Sequence, residues 1–132
     1  MTELNIKQTK VSPLVQLKVG EELILEGDSR PEDVSEFYTP IIKWFSTLND
    51  ELKNGKITAP IQMVFCLEYL NSSSVIFISK ILKNINDIKT QNNIPFNITW
   101  KHLEYDEDMI DLGEEFNDIY EALNLNIVAY TK

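Results

Sequence analysis

The side chains whose type and position most suggest chemistry are three consecutive serines, Ser72, Ser73 and Ser74. They follow the apolar run 61–70 and precede a segment with helical periodicity, so we expect them where a strand passes into a helix. Free backbone amides and the helix dipole favour negative charge at such a junction. One of the serines is expected to be the helix N-cap, and the position also suits a regulatory phosphorylation site.

A second candidate is the acidic segment Asp106, Glu107 and Asp108, which opens another predicted helix. One carboxylate can cap that helix, and the others form either a solvated face or a docking surface for a basic protein. The segment does not fit a calcium loop, because the alternating ligands, the central glycine and the terminal glutamate are missing. The segment also does not fit a catalytic carboxylate pair, because no companion base is apparent in the sequence.

The remaining reactive side chains point to neither an enzyme nor a metal protein. His102 is the only histidine, and Cys66 is the only cysteine. A small hydrolase using Ser72 would need His102 as its base, but no nucleophile-elbow glycines flank the serines. One histidine and one cysteine cannot supply the usual zinc ligands, and no glycine-rich phosphate loop is present. We therefore expect no catalytic residue, no metal and no cofactor, with the hydrolase as a less favoured alternative.

The charge distribution narrows the class of partner. The net charge is −9, and the segment from His102 to Thr131 holds nine acidic residues and no lysine or arginine. Such a field repels nucleic acids and anionic lipids, so we expect no nucleic-acid partner and no membrane insertion. No apolar run approaches the roughly 18 residues of a membrane span, and the first residues do not resemble a signal peptide. With its single cysteine, the protein is expected in the cytoplasm.

The alternation of predicted strands and helices indicates an α/β protein, with residues 1–132 forming one domain. The first helix is expected to start at Ser29 as N-cap, with Pro31 in its first turn, and to end at residues 54–55. The apolar run 61–70 predicts a central strand covered on both faces. The predicted strands are residues 14–19, 22–27, 61–70, 94–103 and 125–130. Together with three helices they give the order ββαβαβαβ and a mixed sheet of about five strands.

Three stretches together resemble the SiaC family of bacterial regulatory phosphoproteins. These stretches are residues 27–32 leading into 37–40, residues 67–74, and residues 105–109 with 113–116. They occur in the family's order and spacing and span nearly the whole chain. The resemblance implies a fold like that of the anti-sigma-factor antagonists (STAS-like). It also implies a non-enzymatic protein that acts through binding.

The resemblance further implies a phosphorylation switch at Ser72. The family motif Tyr-Phe-Asn-Thr-Ser-Ser falls on residues 69–74, which puts the phosphorylated threonine on Ser72, with Ser73 and Ser74 as alternates. A protein kinase and a PP2C-type phosphatase would act on it. Serine replaces threonine here, and Val75 stands where many members have lysine, so the surroundings of the phosphate differ from the family pattern.

In such systems the unphosphorylated form binds and activates a diguanylate cyclase, which implies a role in cyclic-di-GMP signalling and biofilm control. We expect the partner to contact the following residues: Tyr69, Asn71, Asp106, Glu107 and Asp108. One alternative is a partner-switching protein like the anti-sigma-factor antagonists with another effector. Another is a scaffold that binds its partner regardless of phosphate.

Overall fold

The computed structural model describes residues 1–132 and contains six strands and three helices. The strands are β1 (Leu4–Ile6), β2 (Leu14–Leu17), β3 (Leu23–Ser29), β4 (Ile61–Leu70), β5 (Phe96–Leu103) and β6 (Asn126–Tyr130). The helices are α1 (Val34–Lys53), α2 (Ser72–Gln91) and α3 (Glu107–Ile119). The predicted α/β class is confirmed, with the order βββαβαβαβ. No helix has both the length and the apolar character needed to cross a membrane.

The strands form one mixed sheet in sequence order, β1 to β6. The first three are antiparallel neighbours, and β3 to β6 run parallel to one another. The additional strand is β1, whose Leu4 pairs with Leu17 and whose Ile6 pairs with Val15 at the edge of the sheet. Three residues are too few to show the alternation that predicts a strand, so the sequence pattern missed it.

All three helices cover the same face of the sheet. Strands β3 to β6 are added in one direction, and right-handed crossovers then place every connecting helix on one side. In β4 the side chains of Met63, Phe65 and Leu67 are buried on the helix side, whereas Gln62 is exposed on the opposite face. The prediction that β4 is central is confirmed, but the prediction that it is covered on both faces is wrong, because the helices cover only one of them. The apolar run of β4 includes Cys66, which lies on the face of the sheet that no helix covers. Neighbouring side chains of the sheet and its loops bury Cys66 there.

Helix α1 begins later than predicted. Strand β3 extends to Ser29, and the N-cap of α1 is Asp33, whose Oδ1 accepts a hydrogen bond from the Glu36 amide at 3.0 Å. The predicted Ser29 cap is therefore wrong, because the Ser29 side chain is buried and bonded in the core. Pro40 lies inside α1, and the helix ends at Asn54. The predicted end at residues 54–55 is thus confirmed.

One apolar core of 26 buried residues lies between the sheet and the helices. Its centre near α3 contains Trp100 of β5, which contacts Phe65 and Phe116. Gly113 of α3 lies directly against this indole, and a Cβ there would be 2.8 Å from Trp100 Cδ1. The absence of a side chain at Gly113 thus lets α3 approach the sheet closely.

Candidate functional site

The candidate residues gather at one edge of the sheet, where the parallel strands end. Strand β4 ends at Leu70 and α2 starts at Ser72, while the adjacent strand β5 ends at Leu103 and α3 starts at Glu107. The carboxyl ends of parallel strands are the usual location of binding sites in α/β sheets. The fold therefore brings the serine segment and the acidic segment to the same edge, although no hydrogen bond or ion pair joins them.

The N-cap of α2 is Asn71. Its Oδ1 accepts a hydrogen bond from the Ser74 amide at 2.9 Å, and its carbonyl accepts one from the Val75 amide. The prediction that a serine caps this helix is wrong, because asparagine is at least as good a cap and stands one position earlier. The serines occupy the first three helical positions, where the helix dipole still favours negative charge.

A buried chain of three hydroxyls holds this end of α2 in place. Ser29 Oγ donates to Ser74 Oγ at 2.8 Å, and Ser74 Oγ donates to the Ser29 carbonyl at 3.0 Å. The Tyr38 hydroxyl also contacts Ser29 Oγ, whose single hydrogen is already used, so Tyr38 is the donor. Burial raises the pKa of Tyr38 to about 12, although its hydrogen bonds oppose the shift. The three hydroxyls therefore stay protonated at neutral pH.

The three serines differ in accessibility. Ser74 is fully buried, whereas Ser72 and Ser73 are exposed. The Asn71 amide donates to the Ser29 carbonyl at 3.0 Å, so the backbone just before Ser72 is tied to the end of β3. Ser72 is thus an accessible hydroxyl on a well-anchored backbone.

Tyr69 lies beside this junction and is 48% exposed. The guanidinium of Arg30, at the exit of β3, lies over its ring with the carbon 5.9 Å from the ring centroid, which is within cation–π range. No sequence pattern singled out Arg30. The one available signal was that it is the only arginine in the chain.

The acidic segment has the predicted division of roles. Asp106 is the N-cap of α3, with Oδ1 accepting from the Met109 amide at 3.2 Å. Glu107 and Asp108 are exposed and have no partner that accounts for them structurally. The first turn is anchored from below, because Trp100 Nε1 donates to the Met109 carbonyl at 2.9 Å. The two free carboxylates are therefore presented to solvent from a fixed helix start.

Exposed apolar side chains are also found at the starts of α2 and α3. Ile76 in the first turns of α2 is 58% exposed, and Tyr105 in the loop before α3 is 86% exposed. An open groove of about 390 Å³ separates α2 from α3. It is lined mainly by apolar side chains: Val75, Ile76, Leu112, Phe116 and Ile119. An exposed apolar patch with polar residues at its rim is typical of a protein-binding surface.

The other reactive residues do not form a site with the serines. His102 is buried in β5, and its Nδ1 lies 2.7 Å from the Leu103 carbonyl, so that nitrogen carries the proton. No hydrogen bond links the ring to a serine or a carboxylate. Burial raises the pKa of the Cys66 thiol, which lowers its reactivity. No cluster of three or more histidine, cysteine or acidic side chains is placed to hold a metal ion.

Comparison with known proteins identifies relatives along the whole chain. The family model for the SiaC family regulatory phosphoproteins matches residues 6–130. An uncharacterised protein of Pseudomonas aeruginosa (strain UCBPP-PA14) is 29% identical over 120 residues, which are 89% of this chain and 90% of that protein.

The fold is also shared with solved structures from Pseudomonas aeruginosa. The crystal structure of the diguanylate cyclase SiaD in complex with its activator SiaC matches with a TM-score of 0.82 and 26% identity, covering 96% of this chain and 99% of the matched chain. Apo-SiaC matches with a TM-score of 0.77 and 27% identity, covering 98% and 100%. Because the family model covers nearly every residue from β1 to β6, the chain belongs to the SiaC family of regulatory phosphoproteins.

Proposed function

We propose that this protein is a phosphorylation-controlled activator of a diguanylate cyclase, with Ser72 as the phosphorylated residue. In this proposal the unphosphorylated form binds the cyclase and activates it, and phosphate on Ser72 prevents binding. A protein kinase adds the phosphate and a PP2C-type phosphatase removes it. The observation that carries the proposal is an exposed Ser72 at an anchored helix start, in a family whose member SiaC activates the cyclase SiaD.

Accessibility favours Ser72 over one of its neighbours. Ser74 is fully buried and uses its hydroxyl to bond Ser29, so a kinase could reach it only after the end of α2 unfolds. Ser73 is exposed like Ser72, and accessibility does not separate the two. The resemblance of residues 69–74 to the family motif favours Ser72, so we assign the phosphate to it and keep Ser73 as the alternate.

A phosphate at Ser72 should change recognition without unfolding the protein. It adds about −1.5 to −2 charges at a helix start, where the dipole and nearby amides tolerate an anion. The same charge lies beside the exposed apolar residues Tyr69 and Ile76. A partner that covers this surface would have to dehydrate the dianion, and a loss of about 3 kcal/mol already weakens binding roughly a hundredfold.

The rest of the proposed interface fits a partner with basic and apolar side chains. Glu107 and Asp108 offer two unpaired carboxylates, and the α2–α3 groove offers apolar contact beside them. Tyr69 and Asn71 lie at the other side of Ser72, and we propose that they belong to the same surface. We also propose that residues 1–132 act as one regulatory domain in the cytoplasm, since one sheet and one core span the chain.

We propose that the protein has no enzymatic activity of its own. The hydrolase alternative requires a base near Ser72, and the only histidine is buried, with its Nδ1 committed to a backbone carbonyl. The remaining alternative is a partner-switching protein of the same design whose effector is not a cyclase. It differs only in the partner, so cyclase activity measured with and without the protein separates the two.

The test combines mass spectrometry with a cyclase assay. After co-expression with the cognate kinase, the wild-type protein should carry one phosphate on Ser72, and Ser72→Ala should carry none. The matched control is Ser73→Ala, which removes an equally exposed hydroxyl and should still be phosphorylated. Unphosphorylated protein and Ser72→Ala should stimulate cyclic-di-GMP synthesis, and phosphorylated protein should not. Phosphate on Ser73 alone contradicts the assignment, and phosphate on none of the three serines contradicts the switch.

A further inference from the structure

Arg30 is an unpaired cation in an acidic protein. It is the only arginine of the chain, whose net charge is −9, and its side chain is exposed. All five ion pairs of the structure use lysine, and the Arg30 guanidinium makes no hydrogen bond. Its one polar contact is with the ring of Tyr69. The five N–H donors of the guanidinium thus have no acceptor from the protein itself.

The backbone places Arg30 beside the turn that leads into Ser72. Ser29 and Leu70 are paired across β3 and β4, and the Asn71 amide bonds the Ser29 carbonyl. The next residues are therefore Arg30 after β3 and Asn71 after β4, and Ser72 follows Asn71 directly. Neighbouring strands are about 4.8 Å apart, a distance that an arginine side chain spans. The contact with Tyr69 shows that this side chain already reaches across to β4.

We propose that Arg30 is the internal receptor for the phosphate on Ser72, an inference that rests on the proposed function. In the unphosphorylated protein its guanidinium lies on the ring of Tyr69. In the phosphorylated protein it pairs with the phosphate through two parallel N–H···O bonds and leaves the ring. An exposed cation–π contact is weak, whereas a bidentate arginine–phosphate pair combines two charge-assisted hydrogen bonds, so the equilibrium favours the phosphate.

The consequence is that phosphorylation changes the shape of the surface as well as its charge. Tyr69 loses the guanidinium that covers one face of its ring, and the side chain becomes free to adopt other rotamers. A partner that recognises the stacked Arg30–Tyr69 pair would lose a positive charge and a fixed aromatic surface together. Arg30 thus couples the phosphate to a residue that the partner contacts.

The test uses protein with phosphoserine incorporated at position 72 during translation, so it does not depend on any kinase. A ³¹P NMR titration measures the second pKa of the phosphate, which is near 6 for an unperturbed phosphoserine. Arg30 stabilises the dianion, so Arg30→Gln should raise this pKa by about 0.5 unit, a threefold change in proton affinity. Arg30→Lys keeps the charge but cannot donate two parallel hydrogen bonds to the phosphate, so it should give an intermediate phosphate pKa.

The matched control is Lys80→Gln. Lys80 is an exposed cation of α2 that also lies over an aromatic ring, with Nζ 4.6 Å from the centroid of Phe77. Its removal changes the net charge equally and should leave the phosphate pKa almost unchanged. The acidic residues at this edge, Asp28 and Asp106 among them, are the same in every variant, so the difference reports Arg30 alone.

A second readout follows the ring of Tyr69. Its ¹H–¹³C resonances should move on phosphorylation in the wild-type background and stay in place in Arg30→Gln. The receptor role is overturned if the phosphate pKa is the same in wild type and in Arg30→Gln. It is also overturned if Lys80→Gln raises the phosphate pKa as much as Arg30→Gln does. Absence of kinase labelling at Ser72 overturns the proposed phosphorylation site instead, so the two failures are distinguishable.

Discussion

The direction of the buried hydroxyl chain gives an asymmetric prediction for stability. Tyr38 donates to Ser29, and Ser29 donates to Ser74. Tyr38→Phe removes a donor and leaves only one acceptor position of Ser29 unused, while every remaining donor keeps its acceptor. The lost bond should lower the free energy of unfolding by about 1 kcal/mol, the net value of an ordinary hydrogen bond.

Ser29→Ala should lower the free energy of unfolding more than Tyr38→Phe does, although it removes only one oxygen atom. It leaves the Tyr38 hydroxyl, on a fully buried side chain, without an acceptor. An orphaned buried donor adds its desolvation penalty to the lost bonds, and we expect a total of about 2–3 kcal/mol. The double variant Tyr38→Phe with Ser29→Ala removes the orphaned hydroxyl and should be more stable than Ser29→Ala alone.

Urea unfolding followed by circular dichroism measures these differences, with the exposed Ser73→Ala as a control expected within about 0.5 kcal/mol of wild type. A loss in Tyr38→Phe equal to or larger than that in Ser29→Ala would refute the assigned direction. So would a double variant less stable than either single one.

The same tyrosine predicts a dependence on alkaline pH. Burial raises its pKa from 10.0 to about 12, so the folded state favours the neutral phenol. This contribution is complete below pH 10 and is lost as the pH rises from about 10 to 12, by roughly 2–3 kcal/mol. Tyr38→Phe lacks the ionising group, so its unfolding free energy should fall less between pH 9 and pH 11.5. Equal pH profiles for the two proteins would contradict the burial argument.

Three further predictions concern the packing of α3 against the sheet, the start of α2 and the charged surface. Gly113→Ala should lower the unfolding free energy by about 1–3 kcal/mol, because the new Cβ overlaps the indole ring packed against it, and a thermal melt close to that of wild type would contradict the close approach. Asn71→Ala should lose about 1 kcal/mol in urea unfolding through the missing cap, whereas Ser73→Ala should lose almost nothing. Replacing Glu107 and Asp108 by lysine should slow association with the proposed cyclase partner and reduce the salt dependence of the association rate in stopped-flow measurements, while unchanged rates would make these residues a solvated face.

Local patterns predicted most of the elements correctly. The apolar spacing along α1, α2 and α3 and the run in β4 depend on residues a few positions apart, and such short-range regularity survives in the tertiary structure. The end of α1 at Asn54 and the cap at Asp106 are equally local. The errors at the starts of α1 and α2 have a common reason. Several neighbouring side chains can cap a helix, and packing chooses among them.

Residue patterns alone were enough for the α/β class, for the order of the helices and strands after β1, and for the junction that carries the serines. The burial of Ser74 and the exposure of Ser72 became clear only from the folded structure, because the Ser74 hydroxyl bonds Ser29, 45 residues away along the chain. The folded structure also decided that the helices share one face and that Arg30 lies over Tyr69. Contacts between distant segments leave no periodic trace in the sequence, since they arise only when the strands that carry them become neighbours in the sheet.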